Sequence, residues 1–214
     1  MNLPFLSKLL APHFRKPSGL LGWYAARTMS QRNVTRTQWT IDACDIRPGH
    51  VVLEIGFGPG YGLAMAAERA AEGTVYGLDF SSFMVKMAAR KNRGLVAAER
   101  VVLVKGDLSP APFQNDFFDR IFAVNVAYFW PKPLAELSEI KRILKPGGRA
   151  VLYLSDRLSM DSIPVTNTGL FTKYTAQEFM AVLSGAVFAR IDFETKTEEV
   201  QGIQFTGHCF VLEK

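Results

Sequence analysis

From about residue 50 onward, short β-branched apolar runs alternate with helix-length segments, and this alternation sets the expected architecture. Val51–Ile55 reads as a buried strand, Gly60–Ala71 as an Ala-rich helix and Thr74–Leu78 as a second strand. Ser81 or Ser82 offers an N-cap for a helix to about Val96. Arg100–Lys105 and Phe118–Val124 follow as strands. Leu134, Leu137, Ile140 and Leu144 recur at helical spacing until Lys145-Pro146-Gly147-Gly148. Proline cannot continue that helix and glycine accepts a left-handed turn. Arg149–Leu154 is a further strand, and Thr175 with Glu178 forms a capping box for a last helix ending at Gly185. Val187, Ala189, Ile191 and Phe193 alternate with Phe188, Arg190, Asp192 and Glu194, the mark of a half-buried strand, and Phe205–Leu212 closes the chain.

Five strands interleaved with helices predict an α/β fold, a mostly parallel sheet covered on both faces. The last two strands have only a short glycine-containing connection and predict an antiparallel hairpin. Residues 1–47 read as helical, broken at Pro17-Ser18-Gly19 into a short piece and a longer one from about Leu20 to Cys44. The expected organisation is an amino-terminal helical extension or lid over 1–47 and one α/β domain over 48–214. Sheets of this kind bind ligands at the carboxyl ends of their strands.

Composition narrows the class without changing the fold. A chain of 214 residues, 48% hydrophobic and 21% charged, suits one globular core. No window is apolar enough to span a membrane, and Met1–Leu10 lacks the features of a secretory signal, so the expected location is cytoplasmic. Cys44 and Cys209 make neither a disulfide framework nor a metal cluster and read as buried, inert thiols; no metal is expected. The net charge of +5 is concentrated early. Seven basic residues (Lys8, Arg15, Lys16, Arg27, Arg32, Arg36, Arg47) face only Asp42 and Asp45 in the first fifty, and the remainder balances. Such an arm suits an anionic substrate, RNA or a membrane surface, or is simply a solvated helix face.

The chemistry gathers in four motifs. The first is Glu54-Ile55-Gly56-Phe57-Gly58-Pro59-Gly60-Tyr61-Gly62, a buried strand running into alternating glycines and then a helix. Glycines let the backbone turn sharply and approach a ligand, and the helix start offers free N–H groups to an anion. A dinucleotide fingerprint fails, because Tyr61 stands where the third glycine is required. The others are Gly77-Leu78-Asp79-Phe80, Lys105-Gly106-Asp107-Leu108, and Val124-Asn125-Val126-Ala127-Tyr128-Phe129-Trp130, each at the end of an expected strand. With Leu144-Lys145-Pro146-Gly147-Gly148 they cover about residues 50–155.

In that order the motifs resemble class I S-adenosylmethionine-dependent methyltransferases, the small-molecule group that includes ubiquinone- and sterol-type enzymes. The resemblance implies a Rossmann-like seven-stranded sheet in the order 3-2-1-4-5-7-6 with the last strand antiparallel. It implies S-adenosylmethionine as cofactor, S-adenosylhomocysteine as product, and a small-molecule acceptor. Glu54, Gly56, Gly58 and Gly60 would hold the methionine part. Asp79 would accept the ribose hydroxyls, Phe80 would lie on the adenine, and Gly106, Asp107 and Leu108 would form its pocket. The carbonyl near Asn125 would take the methionine ammonium. Tyr128 and Trp130 would flank the methyl group, while Phe129 reads as core.

Methyl transfer needs alignment more than a base. His13, His50 and His208 offer no convincing base, with His13, Tyr128 and Trp130 the weak catalytic candidates. Trp23 and Tyr24, with Tyr128 and Trp130, are candidates for the acceptor, and Met29 and Trp39 could join them in a lid or pack on the sheet edge. Asn125-Val126-Ala127-Tyr128 departs from the Asn-Pro-Pro-aromatic pattern of adenine and glutamine methyltransferases. The alternatives are an RNA methyltransferase using the basic segment, disfavoured by the absence of a longer basic stripe, and a non-catalytic cofactor-binding relative. Peripheral membrane contact through the apolar amino-terminal residues stays open, as does the oligomeric state.

Overall fold

The computed structural model describes residues 33–200 and 203–214. The break at Pro17-Ser18-Gly19, the start of the longer helix, His13, Trp23, Tyr24 and Met29 lie outside the described residues. Residues 33–44 form helix α1. After it come β1 (Val51–Ile55), α2 (Tyr61–Arg69), β2 (Thr74–Asp79), α3 (Ser82–Lys91), α4 (Arg93–Ala97), β3 (Val101–Lys105) and β4 (Phe118–Val124). The chain continues through α5 (Pro133–Ile143), β5 (Leu144–Ser155), α6 (Arg157–Asp161), α7 (Ala176–Ser184), β6 (Arg190–Val200) and β7 (Ile203–Glu213).

The seven strands form one sheet in the order β3-β2-β1-β4-β5-β7-β6. Strands β1 to β5 pair in parallel, and β7 runs antiparallel to both neighbours. Because successive strand residues point to opposite faces, Val52 and Leu53 feed two different cores. Val52 packs with Ile41, Leu63, Met84 and Phe122, beneath α1, α2 and α3. Leu53 packs with Phe118, Leu137, Phe179 and Phe210, beneath α5 and α7. Both strand residues are fully buried. Each such aliphatic or aromatic side chain contributes about 1.5–3 kcal/mol relative to exposure.

Local chemistry explains the element boundaries. The single helix expected to Val96 is two, because the Asn92 side chain leaves the helical pattern to donate to Gly60 O (2.9 Å) and Ala88 O (3.1 Å). That bond ties α3 to the glycine loop. The helix before Pro146 ends at Ile143, one residue short of Leu144, and the Pro-Gly-Gly segment is already extended: β5 starts at Leu144 rather than Arg149. The parallel pairing with β4 shifts register between Phe118 and Arg120 to absorb it. The capping box at Thr175 and Glu178 is present, with Glu178 N to Thr175 Oγ1 at 3.3 Å and Thr175 N to Glu178 Oε2 at 2.8 Å. Strand β6 begins only at Arg190. Val187 before it is exposed, with a left-handed φ of 52°, while Phe188 is buried, and along the edge strand β6 itself Phe193 is exposed, so the half-buried alternation expected from Val187 does not appear. Cys44 and Cys209 are both buried and free. Among the described residues, no helix is long and apolar enough to cross a membrane.

Candidate functional site

Two adjoining hollows open over the carboxyl ends of β1, β2, β3 and β4. They share Gly56, Asp79, Phe80, Val126 and Phe129 as a common wall. The smaller, about 150 Å³, lies on the glycine loop and is also lined by Glu54, Gly58, Asn125, Asn33 and Thr37. The larger, about 600 Å³, extends over Gly106, Asp107, Leu108, Trp130, Glu136 and Leu170. Sizes of this order are those of small-molecule sites.

The glycine loop makes the smaller hollow. Gly58 has a φ of +52°, and a Cβ placed on it would meet nothing within 4 Å, so its Cα borders open space. Its N–H donates to Asp79 Oδ2 at 3.1 Å. Gly56 also takes a left-handed φ of +67°, and a side chain there would strike Val126 at 2.6 Å. Gly60, expected among the ligand contacts, turns its Cα to Ala88 and Asn92 of α3 and lines neither hollow. Its place in the motif is a close packing of loop on helix. Gly62 instead opens α2 over the Glu54 carboxylate, where a Cβ would sit 2.3 Å from Oε1.

Two acids face each other across this loop. Asp79 is 7% exposed and accepts from Gly58 N and from Ser81 N at 2.8 Å. Burial pushes its carboxyl up to about 6, against the downward pull of those two N–H groups. Glu54 is buried, its Oε2 has no hydrogen-bond partner, and burial followed by the charge of Asp79 holds its carboxyl well above the usual range. Helix α2 begins at Gly60 with no side-chain cap and no acidic residue in its first turn. Its first N–H groups and the positive end of its dipole are therefore available to an anion. An orphaned acid beside an uncapped helix start fits the ammonium and carboxylate of an amino-acid moiety, and the open space at Gly58 fits its close approach.

Asn125 closes the small hollow with a left-handed φ of 58°. Its side chain is fully engaged: Nδ2 donates to Asn33 Oδ1 (3.1 Å), and Oδ1 accepts from the Tyr128 hydroxyl (2.9 Å) and Ser155 Oγ (3.2 Å). Tyr128 does not flank the cleft as expected. It is buried, its hydroxyl lies between Asn125, Ser155 O (3.1 Å) and Ser155 N, and burial pushes its phenol far above the ordinary value. The short 3₁₀ turn Ala127–Phe129 causes this, since it directs residue 128 into the core and residue 129 to the cleft. Phe129, expected in the core, lines both hollows, with Phe171 behind it at 4.9 Å between ring centroids. Trp130 lines the larger hollow.

The larger hollow holds Phe80, Gly106, Asp107 and Leu108 together at the ends of β2 and β3. It also holds a residue the sequence did not mark, Glu136. This acid is 4% exposed in the first turn of α5, and its Oε2 is enclosed with no partner. In the sequence it reads as one more polar helix position. Asn33, Thr37, Val126 and Leu170 are further lining residues without a sequence signal.

Neither described histidine reaches the cleft. His50 precedes β1 at the opposite end of the sheet, where burial and Arg120 lower its basicity. His208 is buried in β7 between Thr195 Oγ1 (2.8 Å) and Asp156 Oδ2 (3.1 Å). Trp39 packs on the sheet rather than over the site: its ring meets Tyr153, and its indole donates to Glu194 Oε2 at 3.1 Å. Burial pushes both thiols up, Cys209 to about 12, so neither is a nucleophile at neutral pH. Among the described residues, no cluster of three potential metal ligands occurs.

Comparison with known proteins agrees with this geometry. The family described as a methyltransferase domain matches residues 53–152. The uncharacterized methyltransferase YdaC of Bacillus subtilis is 33% identical over 172 residues, spanning 80% of this chain and 90% of that one. The demethylmenaquinone methyltransferase of Lactiplantibacillus plantarum is 30% identical over 177 residues, 80% of this chain and 70% of that one. Among solved structures, a chain from the complex between the Haloferax volcanii Trm112 methyltransferase activator and a methyltransferase superposes with a TM-score of 0.76. That match covers 90% of this chain and 94% of that one at 21% identity, and it concerns the fold alone.

Proposed function

The chain belongs to the class I S-adenosylmethionine-dependent methyltransferases, and from that premise we propose that it methylates a small molecule by in-line displacement. The observation that carries this reading is the pair of joined hollows at the strand ends, one on the glycine loop beside the orphaned Glu54 and one lined by Phe80, Asp107, Leu108 and Trp130. S-adenosylmethionine supplies a methyl group already activated on a sulfonium.

The residues divide the cofactor between them. The N–H groups at the start of α2 face its carboxylate, and Glu54 with the Asn125 carbonyl faces its ammonium. Asp79 accepts from the two ribose hydroxyls with two oxygens that already lie on the loop. Asp107 accepts from the adenine amino group, between Phe80 and Leu108. Phe129 and Trp130 wall the reacting centre from water, and Phe129 replaces Tyr128 in that role. Catalysis on this reading is alignment and water exclusion, which the rigid β-strand ends supply.

The small-molecule acceptor is supported by the demethylmenaquinone-type relative and by the lining of the cleft. Among the described lining residues there is no Lys, Arg or His to meet a phosphodiester backbone. The test is incubation with methyl-labelled S-adenosylmethionine and a cell extract separated into small-molecule, RNA and protein fractions. Label is expected in the small-molecule fraction. Label confined to RNA or protein would overturn the reading.

A further inference from the structure

Among the described residues, every titratable side chain that closes the cleft, apart from the Tyr61 phenol, is an acid: Glu54, Asp79, Asp107 and Glu136. The chain as a whole is basic, with a net charge of +5, so this lining is local. The cofactor accounts for three of the four, through its ammonium, its ribose and its adenine. Glu136 is left over. It is 4% exposed, lines the larger hollow with Trp130, and among the described residues its side chain has no ion pair and its Oε2 no hydrogen-bond partner. Leaving a buried polar atom without a partner costs about 1–3 kcal/mol. A residue kept in that condition at the wall of a ligand cleft is a functional candidate with a physical reason.

The surroundings state what it would accept. Trp130 and Phe129 offer aromatic faces, Leu170 and Pro131 offer apolar contact, and no described cation competes for the carboxylate. Aromatic faces and a desolvated acid favour a positively charged group. An anionic acceptor would meet only like charge there.

We propose that Glu136 is a binding residue for the acceptor, and that the acceptor carries a basic nitrogen, protonated at neutral pH, which Glu136 and Trp130 anchor beside the methyl donor. The anchored nitrogen is a handle and need not be the atom methylated. This rests on the methyltransferase reading of the same cleft.

The test uses the full chain, saturated with S-adenosylhomocysteine, and two probes of the same shape: 2-phenylethylamine, which is charged, and 2-phenylethanol, which is not. In the unaltered protein the amine is expected to bind at least about tenfold more tightly than the alcohol, the discrimination one desolvated charge pair gives. In Glu136→Gln that preference should disappear, while S-adenosylhomocysteine binds as before and the melting temperature holds or rises. Equal binding of the two probes to the unaltered protein, binding of neither, or a preference that survives Glu136→Gln would overturn the proposal. So would a tenfold loss of S-adenosylhomocysteine affinity in Glu136→Gln, which would assign the acid to the adenine. Failure of the unaltered protein to bind S-adenosylhomocysteine at all would instead sink the cofactor reading on which the proposal stands.

Discussion

The two hollows hold two glutamates of the same burial and of opposite legibility. Glu54 and Glu136 are each about 95% enclosed, and each has an oxygen with no partner. Glu54 lies on β1 two residues before Gly56, and its setting is written in one contiguous stretch of glycines. Glu136 lies on α5, and its setting is assembled from the ends of β3 and β4, the first turn of a helix, and Leu170 some thirty residues on. The difference teaches where sequence motifs come from. A backbone cradle demands glycine at fixed spacing, because left-handed φ and close approach exclude other residues. A side-chain wall can be built from many residue types, so it leaves no pattern.

Breaking the cradle should have the largest effect. Gly58→Val fills the open space and forces a β-branched residue into a left-handed φ. Calorimetry should show loss of S-adenosylhomocysteine binding, by more than about 100-fold. Unchanged affinity would remove the loop from the site.

Asp79→Asn comes next. Losing a charged acceptor for two hydroxyl donors should weaken S-adenosylhomocysteine by about 100-fold. The folded-state carboxyl sits at about 6 against an ordinary 3.8, so the stability linked to its proton is complete below 3.8 and is lost as pH rises through 6. The amide removes that dependence, and it accepts from only one of the two N–H groups, Gly58 N and Ser81 N, that the carboxylate holds.

The same titration predicts a pH profile of intermediate size. Affinity for S-adenosylhomocysteine should be level above about pH 7 and fall toward tenfold per unit below about 6, as Asp79 takes up its proton. Glu54, whose raised carboxyl meets the same ligand, contributes its own part, so the slope should become shallower in Asp79→Asn, and an unchanged slope would remove Asp79 from the titration.

The smallest effects separate the neighbours Tyr128 and Phe129. Phe129→Ala should lower cofactor affinity several-fold with little change in melting temperature. Tyr128→Phe should do the reverse, because removing its hydroxyl leaves Asn125 and Ser155 short of a partner, at about 1–2 kcal/mol. If the two substitutions exchange these signatures, the assignment of core and cleft is inverted.

The strands and their mostly parallel character were legible from hydrophobic runs and turn residues, whereas the strand order was legible only through the resemblance of the four motifs to a known family. The gathering of Asp79, Phe80, Asp107 and Leu108 at the strand ends was legible in the same way, and their roles toward a cofactor are proposals. Gly60 was legible as a glycine but not as a packing glycine, since its partner Asn92 is a helix break that no local pattern announces. Tyr128 and Phe129 were legible as aromatics, yet the 3₁₀ turn that exchanges their directions depends on Ser155 from a strand thirty residues away. Residues 1–32, which carry Trp23 and Tyr24, lie outside the described structure, and a role for them at the acceptor remains a proposal from sequence alone.

The most direct test of the account is a calorimetric titration of the purified chain with S-adenosylmethionine, S-adenosylhomocysteine and NADH in parallel. The two-hollow cleft predicts saturable, micromolar binding of both adenosyl ligands and none of NADH, for which Tyr61 leaves no third glycine. Binding of NADH in their place, or of none of the three, would contradict it.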